Sequence, residues 1–262
     1  MTSQWRLLDT GVQRAPFNMA LEKVLLASCA GGTAPNTLHL LEFFPCVLLG
    51  YSQSAENEIN ENYCMAHNIE INRRIGGGGC IYMDGGTLGW EIIAKKNAPG
   101  IISAPGIPGG LNEMYSKLCG AVVAALANFA LSAVYRPLND VEINGRKISG
   151  TGGTELDDSF IFHGTILVDF DAGTMSKALK IPVKKKHGEL PGIKQRTICM
   201  KELLGQAPPM DEVKKSLTKA FAQTLGIEFI KSGLLAEEIK SLNEELPLFS
   251  SEKWIYGKES NK

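Results

Sequence analysis

Residues 73–90, RRIGGGGCIYMDGGTLGW, set two arginines directly before four glycines, with Cys80, Tyr82 and Asp84 close behind. Glycine lets a backbone amide come near a ligand and permits positive φ. A run of such amides beside guanidinium groups suits an anion, most simply a phosphate or an activated acyl phosphate. The same residues equally allow a tight glycine turn between two strands, with Arg73 and Arg74 as solvated flanks. A dinucleotide-binding fingerprint is excluded, because Ile81 or Tyr82 stands where the last glycine of G-x-G-x-x-G would fall. A P-loop is excluded too, since no Gly-Lys-Ser/Thr follows.

A second stretch with chemical content is 137–153, PLNDVEINGRKISGTGG. Residues 141–143 and 147–149 are short alternating runs joined through Asn144-Gly145, the dipeptide that type I′ hairpin turns favour. A hairpin fixes Lys147 on a strand, where its ammonium could meet a carboxylate or phosphate. Spacing alone slightly favours an ordinary surface lysine. Gly150, Gly152 and Gly153 again open the backbone to a ligand. Residues 160–170, FIFHGTILVDF, predict a central strand with His163-Gly164 at a bulge or a close approach.

These segments need elements to hold them. Residues 5–8 predict an edge strand, and Asn18 opens a helix stopped at Gly31-Gly32. Two strands flank Pro45, with His39 a satisfied strand residue. A helix over 60–68 and a strand over 69–73 deliver the glycine run, and 81–82 and 89–93 return as strands. The loop therefore sits at the rim of a sheet. The Gly/Pro-rich residues 97–110 read as a mobile loop over the site. Residues 111–131 form an amphipathic helix with Leu111, Met114, Leu118, Val122, Ala125 and Phe129 on one stripe. Thr174 caps a short helix, 184–187 is a solvated basic loop, 211–225 is a helix stopped by Gly226, and 237–246 is another helix. The pattern predicts an α+β fold of short mixed strands with peripheral helices, in one domain.

Composition narrows the function classes. A formal net charge of −1 argues against an obligate nucleic-acid binder. The cysteines (Cys29, Cys46, Cys64, Cys80, Cys119, Cys199) include no C-x-x-C pair, so neither a zinc site nor a thioredoxin-type motif is supported. Cys46, within FFPCVLL, reads as a reduced buried thiol. The N-terminal residues lack a signal-peptide pattern, and no apolar run reaches bilayer length. A cytoplasmic protein without a membrane partner is expected.

Three motifs, in order, resemble the lipoate–protein ligases of the wider biotin/lipoyl-ligase fold. RRIGGGGCIYMDGGT is similar to RR-x-S/T-GGG-A-V-Y-H-D-x-G-N. Asn139-Asp140 through Gly145-Arg146-Lys147-Ile148-Ser149-Gly150 is similar to N-D-(x)-G-[RK]-K-[IV]-S-G, and His163-Gly164-Thr165-Ile166-Leu167 to H-G-T-L-L. Weaker agreement lies in Asn18-Met19-Ala20-Leu21-Glu22, in Gly50, Gln53 and Glu58, and in the closing segment around Trp254 and Tyr256. The resemblance covers nearly the whole chain.

It implies a biotin/lipoyl-ligase-like fold with mixed, mostly antiparallel sheets, as a single catalytic domain over 1–262. A C-terminal helical extension would occupy about 234–262, with no separate accessory domain, which leaves room for a separate accessory protein. It implies two steps: lipoate and ATP, with Mg²⁺, give lipoyl-AMP and pyrophosphate, and a carrier lysine then takes the acyl group. The carrier would be a glycine-cleavage H-like protein, a dehydrogenase E2 lipoyl domain or a dedicated lipoate-binding protein. Lys147 corresponds to the catalytic lysine. Arg74, Gly77, Gly78, Gly79, Cys80, Ile81, Tyr82, Ser149 and Gly150 correspond to the ATP and lipoyl-AMP site. Gly50, Gln53, His163, Gly164 and Thr165 are candidates for the lipoyl channel, and Asp140 and Asp84 for the magnesium neighbourhood.

Departures bear on substrate preference and rate. Gly76 replaces Ser/Thr, Met83 replaces His, Thr87 replaces Asn, and no arginine follows the lysine motif. The alternative is an octanoyl transferase of the same fold, moving an acyl group between carriers through a cysteine thioester without ATP. Its thiol would lie just upstream of G-R-K or shortly after the H-G-x strand, and residues 133–143 and 180–186 contain none. Cys80 occupies the position of a small apolar residue. A non-catalytic lipoyl-carrier binder is a third reading, opposed by the retention of Arg74 and Lys147, since a binder has little need of charge aimed at a transition state.

Overall fold

The computed structural model describes residues 3–101, 111–137, 139–180, 184–185, 188–189 and 192–257. The chain begins with β1 (Ser3–Gln13), α1 (Ala15–Ala30), β2 (Thr37–Phe43), β3 (Cys46–Leu49), α2 (Ala55–Glu58), α3 (Glu61–Ala66), β4 (Glu70–Arg73) and β5 (Ile81–Met83). It continues through β6 (Thr87–Lys95), α4 (Leu111–Ala127), β7 (Val134–Arg136), β8 (Asp140–Ile143), β9 (Arg146–Leu156) and β10 (Ser159–Leu167). Then come α5 (Ala172–Ala178), β11 (Lys184–Lys185), β12 (Gly188–Glu189), α6 (Ile193–Arg196) and α7 (Met200–Leu204). The chain closes with α8 (Met210–Leu225), β13 (Ile227–Lys231), α9 (Ala236–Phe249) and α10 (Glu252–Tyr256).

One sheet has the order β13-β1-β2-β6-β10-β9-β8-β7, and a second has β3 between β4 and β5. β1 runs parallel to β13 and β2, and β3 parallel to β4; the other strand pairings among the described residues are antiparallel. The α+β class with mixed, mostly antiparallel sheets is as the sequence predicts.

Strand alternation sorts β6 into two cores. Leu88, Trp90, Ile92 and Ala94 join α4 and α8 side chains such as Val122 and Phe221. Ile93 joins the cluster of Leu21 and Leu25 from α1 and Leu242 and Phe249 from α9. Covered on both faces, β6 can carry a charged residue only where that residue finds partners. The C-terminal helices thus share the α1 core.

Several expectations need correction. Residues 5–8 are not at an edge, because β13 adds outside β1 in parallel register. Gly226 ends α8 in the left-handed region and the chain turns at once into β13, which the sequence reading passed over. Helix α1 starts at Ala15, before Asn18, because Pro16 in the first turn forgoes only an amide that has no helical acceptor. Asp171, not Thr174, caps α5: its Oδ1 accepts from the amides of Gly173 and Thr174. α4 ends at Ala127, four residues early, and Ala130 beyond it has φ 57°. The mobile loop read over 97–110 and the basic loop over 184–187 fall largely outside the described residues.

A buried ion pair fastens β1 to α9. Arg6 Nη1 and Nη2 meet Glu238 Oε2 and Oε1 at 2.6 and 2.7 Å, and Arg6 Nε donates to Thr37 Oγ1. Both side chains are almost fully buried. Removing one partner strands the other charge, so Glu238→Ala should cost about 3–5 kcal/mol, read from the urea unfolding midpoint.

Candidate active site

β4 and β5 flank β3, so residues 74–80 must cross over the C-terminal end of β3. Tyr51 N donates to Gly76 O at 2.9 Å, and a Cβ on Gly50 would come closer than 3.0 Å to Gly78 O. Gly50 N donates to Gln53 Oε1 at 2.9 Å. Gly50 and Gln53, expected along an acyl channel, thus form the floor beneath the glycine loop.

Neither arginine is a solvated flank. Arg74 is buried, with Nη1 on Leu48 O and Nη2 on Gly77 O and Gly79 O, at 2.9, 3.1 and 2.9 Å. Its Nε is a buried donor without a partner among the described residues. Burial pulls the guanidinium pKa down, opposed by the charge of Glu22. Arg73 is fully buried and bonds backbone carbonyls of residues 50–53 and of α10.

The lysine hairpin forms as read. Asn144 and Gly145 take φ of 53° and 73°, the two positive values a type I′ turn needs. Lys147 Nζ lies 2.6 Å from Asp140 Oδ1, and Ile198 N donates to Lys147 O at 2.9 Å. The lysine side chain lies over Gly150, where a Cβ would come closer than 3.0 Å to both Cε and Nζ. Gly150 N donates to Thr165 Oγ1 at 3.3 Å, tying the lysine motif to the H-G-T strand. Ser149, by contrast, is fully buried.

His163 brings the third motif to the loop. A Cβ on Gly76 would sit 3.4 Å from His163 Cε1 and 3.9 Å from Gly153 O, so the glycine loop rests against β9 and β10. Gly164 resolves as a close approach: register with β6 runs unbroken from Ser159 to Leu167, and a Cβ would strike the Trp90 ring. Ile81 and Tyr82 lie on β5, whose outer edge is unpaired among the described residues. Asp84 stands apart. Its Oδ1 accepts from Gly86 N and Thr87 Oγ1 within the turn, and its Oδ2 accepts from Asp171 N at the start of α5. Burial raises its pKa. These commitments fit a metal ligand poorly and leave Asp140 as the acidic candidate.

Sequence reading missed a polar ladder beneath the loop. His39, Glu91 and His163 stand opposite one another on the adjacent strands β2, β6 and β10. His39 bonds Glu91 at 2.8 Å and Thr10 at 2.9 Å, while His163 Nδ1 meets Glu22 Oε1 of α1 at 3.1 Å. Glu22 Oε2 is buried without a partner among the described residues. Burial lowers the pKa of His39 to about 3, helped by Arg6. Burial raises that of Glu91, helped by Glu22. Burial thus disfavours the charged form of each partner in the His39–Glu91 contact. An unfolded His39 takes up a proton below about 6.5 and the folded one does not, so its burial costs stability as pH falls from there toward about 3. His39→Gln should lose less stability than wild type as pH drops below about 6.5, compared by urea midpoints.

Cys80 and Cys119 are poorly placed for nucleophilic work. Burial pushes Cys80 up to about 12 despite Arg74. Cys119 of α4 is buried, 4.0 Å from Thr151 Oγ1, and is pushed up to about 11. Cys199 is half-buried and follows Ile198, whose amide bonds Lys147 O.

The family description "Lipoyl protein ligase A/B catalytic domain" matches residues 14–222. The chain belongs to this family. Among lipoyl protein ligase A/B relatives, lipoate–protein ligase 1 of Staphylococcus aureus is 26% identical over 244 residues, 92% of this chain and 70% of its own. Octanoyltransferase LipM of Kyrpidia tusciae is 25% identical over 278 residues, covering 97% of this chain and 99% of its own. Lipoate–protein ligase A subunit 1 of Thermoplasma acidophilum is 27% identical over 257 residues, 92% of each chain. The fold matches lipoate–protein ligase A bound with ATP at a TM-score of 0.82, with 24% identity over 99% of this chain and 100% of that one. The ligase/octanoyltransferase family makes this an enzyme of lipoyl or octanoyl transfer, with both activities among its relatives. No described helix is long and apolar enough to cross a membrane.

Proposed function

We propose that the protein activates lipoate with ATP to lipoyl-AMP and passes the lipoyl group to a lysine of a lipoyl-carrier domain. The observation that favours this over ATP-free transfer is the state of Cys80 and Cys119, near the glycine loop and the Lys147 hairpin, with Cys199 the half-buried exception. A thioester route needs an accessible thiolate there. Cys119 is buried and Cys80 is pushed to about 12. Both Cys80→Ser and Cys199→Ser are expected to retain ATP-dependent acylation, measured as carrier lipoylation.

In this reading the carboxylate of lipoate attacks the α-phosphate, which brings two anions together, so donors must wait where charge accumulates. Lys147 donates to the acyl carbonyl and phosphate from a strand held by its hairpin. Arg74 Nε, a buried donor lacking a partner among the described residues, has capacity for a ligand oxygen. Gly77, Gly78 and Gly79 cradle the adenylate. The open edge of β5, with Cys80, Ile81 and Tyr82, offers backbone groups to adenine. Gly150 gives Lys147 its room, and Ser149 supports the strand from the core. Gly50, Gln53, His163, Gly164 and Thr165 shape the site from beneath. Mg²⁺ would arrive with the nucleotide, and Asp140 would hold it. The carrier and a separate accessory subunit are proposed by likeness to the bipartite ligase of Thermoplasma acidophilum, described with its E2 lipoyl domain. The cytoplasm is the proposed compartment.

One observation favours the second reading, octanoyl transfer between carriers: LipM of Kyrpidia tusciae aligns over nearly the full length of both chains. Cys199, next to the residue bonded to Lys147, is the thiol it would depend on. Incubating the protein with lipoate, Mg-ATP and lipoyl domains, then weighing the carrier, separates the readings. Mass gain only with ATP supports the ligase, and gain from an octanoyl carrier without ATP supports the transferase.

A further inference from the structure

Arg73 has an environment that the chemistry above does not explain. It is fully buried and, among the described residues, pairs with no carboxylate. Its donors all meet backbone carbonyls. Nη1 reaches Gly50, Tyr51 and Gln53 at 3.0, 2.9 and 2.6 Å. Nε reaches Trp254 and Ile255, each at 3.1 Å, and Nη2 reaches Ile255 at 2.7 Å. A planar fork with rigidly spaced donors can serve two separate segments at once, whereas an ammonium cannot reproduce that geometry.

The two segments differ in character. Trp254 and Ile255 belong to the last turn of α10, whose carbonyls lack intrahelical donors. Residues 50–53 carry the floor of the glycine loop, through Tyr51 N on Gly76 O and the close approach of Gly50 to Gly78. The connection is reciprocal at the helix: Trp254 Nε1 donates to Arg73 O at 3.0 Å, and its ring packs against Phe249 and Tyr51. Beside it, Asn72 Nδ2 holds Phe249 O at 2.9 Å. A continuous set of hydrogen bonds therefore runs from the C-terminal helix through Arg73 to the loop that meets Gly76.

We infer that α10 is part of the anion site's architecture, with Arg73 as a positioning residue: the docked helix sets the geometry of the glycine loop and so its affinity for a phosphate-bearing ligand. Arg73 touches no reacting atom. The inference rests on the proposed ATP reading only for the identity of that ligand.

The test uses the full chain and two variants, Arg73→Lys, which keeps the charge and loses the fork, and Trp254→Phe, which keeps the ring and loses its donor. Hydrogen exchange at the Tyr51 amide reports the contact with Gly76, and lipoate-dependent ATP–pyrophosphate exchange reports KM for ATP separately from kcat. Arg73→Lys should speed Tyr51 exchange and raise KM for ATP about tenfold each, because the loop must then be ordered at the expense of binding. Trp254→Phe should move both in the same direction by less. Faster exchange confined to α10, with Tyr51 and KM unchanged, would show a helix that only stabilises the fold and would overturn the inference. If wild type catalyses no exchange with ATP, the ATP reading fails, and the Tyr51 comparison still decides whether α10 positions the loop.

Discussion

Lys147→Ala is expected to leave a folded protein whose lipoate-dependent ATP–pyrophosphate exchange has fallen by about 10²–10³-fold, the usual consequence of removing one positioned donor from a developing negative charge. The hairpin does not depend on the side chain. Its turn is set by Asn144 and Gly145, and the link to Ile198 uses the lysine's carbonyl. The ion pair with Asp140 is partly solvated, with side chains 36% and 21% exposed, so its loss should cost no more than about 1 kcal/mol. A melting curve near that of wild type, together with lost exchange, would separate the chemical role from a structural one. Arginine should rescue poorly, because its planar fork of donors does not reproduce a compact ammonium. Exchange that persists in Lys147→Ala would remove this lysine from the mechanism.

Gly50→Ala is expected to have the second large effect. The added methyl would come closer than 3.0 Å to the carbonyl of Gly78, and a backbone carbonyl cannot swing aside as a flexible side chain can. Either the β3 end or the glycine loop must shift. Overpacking of this kind costs about 1–3 kcal/mol, but the displaced groups are those proposed to cradle the adenylate, so activity should fall further than stability. A misplacement of about 1 Å can cost about a hundredfold in rate. Gly77→Ala is the control for stability, since a Cβ there meets nothing within 4 Å. Equal unfolding midpoints for Gly50→Ala and wild type would show that the loop does not rest where described.

The glycine loop, the hairpin and the H-G-T strand were legible in the sequence because each depends on local chemistry: bare amides after arginines, an Asn-Gly turn, and an apolar strand interrupted by His163-Gly164. What joins them was not legible. The meeting of Gly76 with His163, and of Gly150 with Thr165, depends on which strands become neighbours. The polar ladder shows the limit well. Glu91 stands within GWEIIA, and a charged residue in a strand buried on both faces signals a partner. Only the order β2-β6-β10 reveals that His39 and His163 flank it. The role of Arg73 was hidden for a similar reason: its partners Trp254 and Ile255 lie 181 and 182 residues away. Strand β13 was hidden because it follows the cap of α8 without a linker, and its pairing with β1 is parallel and distant.

The most direct measurement is radiolabelled pyrophosphate exchange into ATP by the purified wild-type protein, with and without lipoate. Exchange that appears only when lipoate is present would match an enzyme that makes an acyl-adenylate. No exchange, alongside ATP-free octanoyl transfer between carriers that Cys199→Ser abolishes, would contradict it.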